Sequence, residues 1–227
     1  MIVLKNVTKV FPPNVVALDN ISFEIKGGEF VLIIGRSGAG KSTILKLINK
    51  EIDPTRGYIF YKNLEITKIS SKKKRELRRK ITTIFQDFKL LNKKTVFENL
   101  SLPLEILGKN RREIEKEVLN VAQRLKIENK LNQKAETLSG GEKQKVCLAR
   151  GLLYNPEVIL ADEPTGNLDP LSAHEILEIL KSLNKEGITI IFATHNKEIV
   201  DSLKTRVITL DNGRLIKDEN PGSYSIF

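Results

Sequence analysis

The chain has 227 residues, 40% of them hydrophobic, and a formal net charge of +10 from 38 Lys and Arg against 28 Asp and Glu. At this length roughly 70% of the unfolded surface can be buried, so the core needs neither disulfides nor a structural metal, and the single cysteine, Cys147, excludes an internal disulfide framework. No apolar run reaches the ~18 residues of a membrane span, and Met1 leads straight into strand-like Ile2-Val3-Leu4, so the expectation is a cytoplasmic chain whose positive balance suits nucleic acid or an anionic membrane surface.

Residues Ile2 to Val10 alternate apolar and polar, and Ile21 to Ile25 do so again before Gly27-Gly28, the pattern of antiparallel strands with one solvated face. Phe11 follows the first run beside Pro12-Pro13, where a flat aromatic either stacks on a nucleobase or plugs a corner of the core. The apolar run Phe30 to Ile34 then opens into Gly35-Arg36-Ser37-Gly38-Ala39-Gly40-Lys41-Ser42, which matches a phosphate-binding loop. Glycines let backbone N–H groups turn toward closely spaced phosphate oxygens without Cβ atoms in the way, and the following helix aims its positive end at them. Lys41 is the residue to reach the β and γ oxygens, Ser42 the hydroxyl to hold Mg²⁺, and Thr43 a weaker candidate beside it.

Ile44, Leu45, Leu47 and Ile48 mark an amphipathic helix, Asp53 to Gly57 a turn, and Tyr58 to Tyr61 a short strand. The run Lys72 to Lys80 lacks the interleaved aromatics that stack on bases, which favours a solvated helix face or attraction to a membrane surface. Ile81 to Phe85 reads as a buried strand ending at Gln86, whose amide can ligate Mg²⁺ or orient a water. From Asp87 to about Tyr154 the pattern is helical, with Ile114, Val118, Val121 and Leu125 at helical spacing, and predicts a helical subdomain inserted into the sheet. Near its start Phe88, Leu90, Leu91, Val96 and Phe97 are more apolar than a surface loop requires, and they are candidates either for subdomain core or for a groove that accepts a helix of a membrane protein.

Within that segment Leu138-Ser139-Gly140-Gly141-Glu142 precedes an amphipathic helix. A capping box accounts for Ser139 and Glu142, whereas two consecutive glycines point to a phosphate approaching a second helix N-terminus. Val158 to Ala161 is a buried strand with Asp162 and Glu163 at its C-terminal end, the edge where ligands sit in parallel α/β sheets. Asp162 suits a contact to Mg²⁺ through its shell, and Glu163 suits polarising the water that attacks the γ-phosphate. Asn167-Leu168-Asp169 starts the next turn, Ile176, Leu177, Ile179, Leu180 and Leu183 form a helix stripe, and Ile188 to Thr194 deliver His195 to the same edge, while His174, near the start of that amphipathic helix, is expected to be solvated. Val207 to Leu210, Asn212-Gly213 and Arg214 to Lys217 read as a closing hairpin, followed by a tail, 220–227, expected to be mobile.

In this order the phosphate loop, Gln86, Leu138 to Glu142, Ile159 to Glu163, Asn167 to Asp169 and His195 resemble the ATPase subunit of ABC systems over nearly the whole chain, and the Leu-Ser-Gly-Gly element is the most specific part. The resemblance implies one α/β phosphate-loop NTPase domain over 1–227, with a RecA-like, mostly parallel core and antiparallel β subdomain in 1–86 and 155–227 and a helical subdomain in 87–154. It implies ATP and Mg²⁺ as ligands, catalytic roles for Lys41, Gln86, Glu163 and His195, and nucleotide contacts from Gly35 to Thr43 and from Asp169. It also implies a sandwich homodimer formed on ATP binding, in which Ser139, Gly140, Gly141 and Glu142 of one chain meet ATP held by the other, and an aromatic at Phe11 stacked on adenine. Ser37 to Gly40, Phe85 to Leu91 and Ser139 to Glu142 look most like the bacterial cell-division branch, FtsE. That branch implies a polytopic membrane partner of FtsX type, a place on the inner face of the membrane, and regulation of cell-wall hydrolases. Lipoprotein-release and macrolide-export ATPases are similar, usually with Gln at the positions of Asp87 and Glu142. Lys143, Lys145 and Asn196 depart from the branch's usual Gln, Arg and Asp. Soluble ABC proteins that act on nucleic acid pair two cassettes or insert a long coiled coil, and this sequence has neither, so no nucleic acid is expected.

Overall fold

The computed structural model describes residues 1–224. The chain runs β1 (Ile2–Phe11), β2 (Val15–Ile25), β3 (Phe30–Ile34), α1 (Lys41–Ile48), β4 (Arg56–Tyr61), β5 (Leu64–Glu65), α2 (Ser71–Lys80) and β6 (Ile81–Phe85). Three helices follow, α3 (Val96–Ile106), α4 (Arg111–Arg124) and α5 (Gly140–Leu152), and then β7 (Val158–Asp162), α6 (Pro170–Lys185), β8 (Thr189–Thr194), α7 (Lys197–Leu203), β9 (Arg206–Asp211) and β10 (Arg214–Glu219).

The alternating strands pair antiparallel in a sheet of order β2-β1-β4-β5, and the apolar strands form a second sheet of order β10-β9-β3-β8-β7-β6 that is parallel except for β10. Strands β3, β7 and β8 are apolar along nearly their whole length because both faces are covered. Successive residues point to opposite sides, so Leu32, Ile34, Ile159 and Phe192 enter a core built with α3 to α6, while Val31, Ile33, Leu160 and Ile191 enter one built with α1 and the antiparallel sheet.

Differences from the sequence reading have local causes. Strand β2 begins at Val15, earlier than its alternation suggests, because Val15 and Val16 pair with Phe11 and Val10 while staying 58% and 53% exposed. Helix α7 was not anticipated; it has seven residues and buries two of them, too few for a period to register. Among the apolar residues near the start of the helical segment, Val96 is wholly buried and Phe88, Leu90 and Phe97 pack on the core, which leaves Leu91 as the exposed one. The tail expected to be mobile is held through Tyr224, and its last three residues lie outside the described ones.

Candidate functional site

The parallel register brings four strand ends to one edge. Phe85 lies beside Asp162, Asp162 beside Ala193, and Thr194 beside Ile34, so Gln86, Asp162-Glu163, His195 and Gly35 leave the sheet side by side. A Cβ on Gly35 would stand 2.5 Å from Leu210 O, and one on Gly40 would stand 2.7 Å from Ala17 O with φ at 101°, so the loop's path admits no side chain at either position.

Helix α1 starts directly from that loop, and its first turn is unlike the others. Among the described residues, six of the seven α-helices have a side-chain acceptor on their N-terminal amides, from Ser70, Thr95, Asn110, Ser139, Asp169 and Asn196. Helix α1 has Gly40 as its cap, no side-chain bond to its amides and no acidic residue in its first turn. Unsatisfied N–H groups and the positive helix end therefore face the loop together, an arrangement suited to an anion.

Lys41, only 5% exposed, donates to Gly35 O at 2.9 Å and to Arg36 O at 3.1 Å, and its ammonium lies 3.7 Å from Glu163 Oε1. The other Glu163 oxygen, Oε2, is 2.9 Å from His195 Nδ1. Glu163 itself sits in the left-handed region at φ 47°, held by an N–H bond to Ala193 O, so the strand end fixes a strained backbone where this carboxylate emerges. Incoming phosphate oxygens would compete with Glu163 for both Lys41 and His195 and leave the carboxylate free for a water.

The Ser42 hydroxyl donates to Asp162 Oδ1 at 2.9 Å, and Gln86 Nε2 donates to Asn167 Oδ1 at 3.2 Å. Ser42, Gln86, Asp162, Glu163, Ser37 and Lys46 line one cavity of about 690 Å³. Burial pushes the Asp162 carboxyl above the usual carboxylate range; the adjacent Glu163 charge adds to this, and the Ser42 hydroxyl opposes it. A hydroxyl, an amide and a carboxylate whose charge is penalised by burial form a hard oxygen set, which fits Mg²⁺ better than soft metals.

The remaining sequence-singled residues divide by place. Arg36, Ser37, Gly38 and Ala39 form the loop, and Thr43 is half-buried in the first turn of α1. Phe11 is half-buried, packs into neither apolar core among the described residues, and has the Lys9 ammonium 4.9 Å from its ring centre. Asp169 caps α6 by accepting from the Ser172 N–H at 2.9 Å. Ser139 is exposed; its Oγ accepts from the Glu142 N–H at 3.3 Å, which leaves the hydroxyl proton for another partner, and Glu142 Oε2 accepts the Ser139 N–H at 2.9 Å. Gly140 is half-exposed, and Gly141 packs on its own chain, since a Cβ there would stand 2.5 Å from Ser172 Oγ. Sequence reasoning missed Tyr224, whose hydroxyl reaches the His195 carbonyl, because an aromatic in a Pro-Gly-Ser tail carries no pattern.

Comparison with known proteins identifies the relatives of this chain. A family model described as ABC transporter matches residues 18–166. The Cell division ATP-binding protein FtsE of Bacillus subtilis is 46% identical over 227 residues, which is 100% of both chains. The Methionine import ATP-binding protein MetN of Francisella tularensis subsp. holarctica is 48% identical over 219 residues, 95% of this chain and 63% of that relative. A solved dimeric, post-hydrolysis state of an ATP-binding cassette bound to ADP and Pi superposes with a TM-score of 0.89 at 36% identity, covering 99% of this chain and 100% of the other. The chain therefore belongs to the ABC transporter family and is an ATP-binding, ATP-hydrolysing cassette.

Proposed function

We propose that the chain is the ATPase of an FtsE-type cell-division complex, working as an ATP-dependent homodimer on the inner face of the membrane and driving a polytopic partner of FtsX type that regulates cell-wall hydrolases. The full-length match to the Bacillus subtilis cell-division relative carries this reading, and the Glu142 and Asp87 positions support it. Helix α1 leaves its N-terminal amides without a side-chain cap, and this is the observation that supports the nucleotide pose.

In that pose the α1 amides and Lys41 hold the β and γ oxygens, and the Phe11 ring stacks on the base. Ser42 and Gln86 would hold Mg²⁺ with Asp162 behind them, and the ion would neutralise charge on the phosphates. Glu163 accepts a proton from the attacking water as its oxygen bonds to the γ-phosphorus, the bond to the β–γ bridging oxygen breaks, and ADP leaves with that electron pair. His195 contacts the γ-phosphoryl oxygens. Ser139 and Gly140 of the second copy close the site from the other side, with the free Ser139 hydroxyl proton directed at the phosphate.

Two substitutions separate binding from chemistry. Lys41→Ala should lose ATP binding, whereas Glu163→Gln should bind ATP, hydrolyse it at least ~10²-fold more slowly and accumulate as a dimer visible by light scattering. Adding Ser139→Arg should dissolve that dimer. Near-normal turnover in Glu163→Gln removes the base role. The 48% identity with a methionine-import ATPase supports a second reading, an importer subunit, and the membrane protein that co-purifies with the chain decides between the two.

A further inference from the structure

Beyond β10 the tail turns back onto the molecule. The Gly222 N–H donates to Thr205 O at 2.9 Å, and a Cβ on Gly222 would stand 2.5 Å from Val207 Cβ, so the chain is pressed against the start of β9 at that point. Two residues later the Tyr224 ring, half-buried, packs on the apolar core and its hydroxyl donates to the backbone carbonyl of His195 at 3.0 Å. Tyr224 and His195 line one cavity of about 500 Å³ together with Arg36, Ser37 and Glu163.

His195 is in need of such support. Its side chain is 61% exposed, and it stands on the two-residue link between β8 and α7, outside both the sheet ladder and the helix. The preceding Thr194 secures the peptide after it, by accepting the Asn196 N–H at 3.0 Å, and the Tyr224 hydroxyl secures the His195 carbonyl. These two bonds together fix the plane that carries the imidazole, and the imidazole is what lies 2.9 Å from Glu163.

We propose that Tyr224 is a positioning residue of the hydrolytic site, holding His195 at the distance from Glu163 and the γ-phosphate that turnover requires. The inference rests on Glu163 and His195 forming the hydrolytic pair. It makes the segment from Asn220 to Tyr224 part of the ATPase machinery, acting through the His195 backbone without touching nucleotide.

The test uses the full chain with Tyr224→Phe, which keeps the packed ring and removes the donor. Steady-state ATPase assays should give a kcat lowered about threefold to tenfold with KM for Mg·ATP unchanged within about twofold, the scale expected for one neutral hydrogen bond acting on the transition state. The chain has two histidines, so imidazole resonances supply an independent readout. The His195 signal should move in Tyr224→Phe while that of His174, on the exposed side of α6, stays in place. An unchanged kcat or an unmoved His195 signal overturns the proposal. So does a fall in kcat matched by a rise in KM and a lower melting temperature, which is the mark of a merely structural residue. If Glu163→Gln turns over normally, the hydrolytic reading fails on its own, and the His195 signal still reports whether Tyr224 orders that loop.

Discussion

At the scale of single residues, the two glycines of the Leu-Ser-Gly-Gly element have different reasons to be glycine. Read as sequence, both suggest a ligand's approach, yet Gly141 faces Ser172 on α6 so closely that a Cβ would meet its Oγ at 2.5 Å and its Cβ at 2.8 Å. Gly140, one residue earlier, keeps a half-exposed place at the first turn of α5. Gly141→Ala should therefore destabilise the nucleotide-free protein by about 1–3 kcal/mol through overpacking, although alanine is the better helix former. Ser172→Gly in the same chain should recover part of that loss, a less-than-additive pair readable in thermal melts. Melting at the wild-type temperature in Gly141→Ala would return Gly141 to the purely ligand-based explanation.

At the scale of elements, α5 ties two parts of the site together. Phe88 and Lys89 both occupy the left-handed region, at φ 60° and 50°, and α5 holds them there: Arg150 donates to Lys89 O at 2.7 Å and to Phe88 O at 3.4 Å, and the Cys147 thiol lies 2.8 Å from Phe88 O. Non-glycine residues in that region cost about 1–2 kcal/mol each, so Arg150→Ala should loosen the segment after Gln86, speed its amide exchange at least ~10-fold and lower kcat, leaving exchange in β3 and β8 unchanged. At the other end of α5, the Lys130 ammonium, 2.9 Å away, and then the Ser139 N–H hold the Glu142 carboxyl below its ordinary value of 4.5. A depressed carboxylate stabilises the fold above that ordinary value and loses its contribution as the pH falls through the lower folded one. The gap in melting temperature between wild type and Glu142→Gln should thus be widest near neutrality and narrow as the pH falls below 4.5 through the lowered folded value; a gap constant with pH would remove the charge from the argument. These devices also mark where the sequence was legible. Strands β3, β6, β7 and β8, the phosphate loop and the capping box follow from apolar runs, glycine spacing and cap chemistry that act within a few residues. The left-handed pair at Phe88-Lys89 and the anchoring of Tyr224 depend on groups far along the chain, Arg150 and His195, and no local pattern encodes them.

At the scale of the whole molecule, charge and apolar surface gather beside the edge strand β6. Helix α2 carries seven Lys and Arg against Glu76, buries only Leu77, and spends Arg78 on the carbonyls of Asn49 and Lys50. Thr82, Thr83, Leu102, Pro103, Arg150 and Tyr154 line a groove of about 230 Å³ next to it. Leu102 and Ile106 of α3 stay 37% and 56% exposed, and Leu91 is 47% exposed at the end of the segment that Arg150 clamps. An apolar strip beside a cationic helix suits an amphipathic segment of a membrane protein lying close to anionic headgroups, and no helix among the described residues is itself long and apolar enough to cross a membrane. Because Leu91 is exposed while Phe88, Leu90 and Phe97 pack on the core, Leu91→Asp should cost little stability, in contrast to the same change at any of those three. Leu91→Asp, and separately Leu102→Asp on the neighbouring helix, should strip the chain from the proposed membrane partner in pull-downs from detergent extracts while ATP binding and melting temperature stay near wild type. Lys89→Glu, which places a second negative charge beside Asp87, should weaken the same association. Full retention of the partner by all three variants would mean that the strip is ordinary surface and that the partner docks elsewhere, and a collapsed melting temperature in Leu91→Asp would assign that side chain to the core.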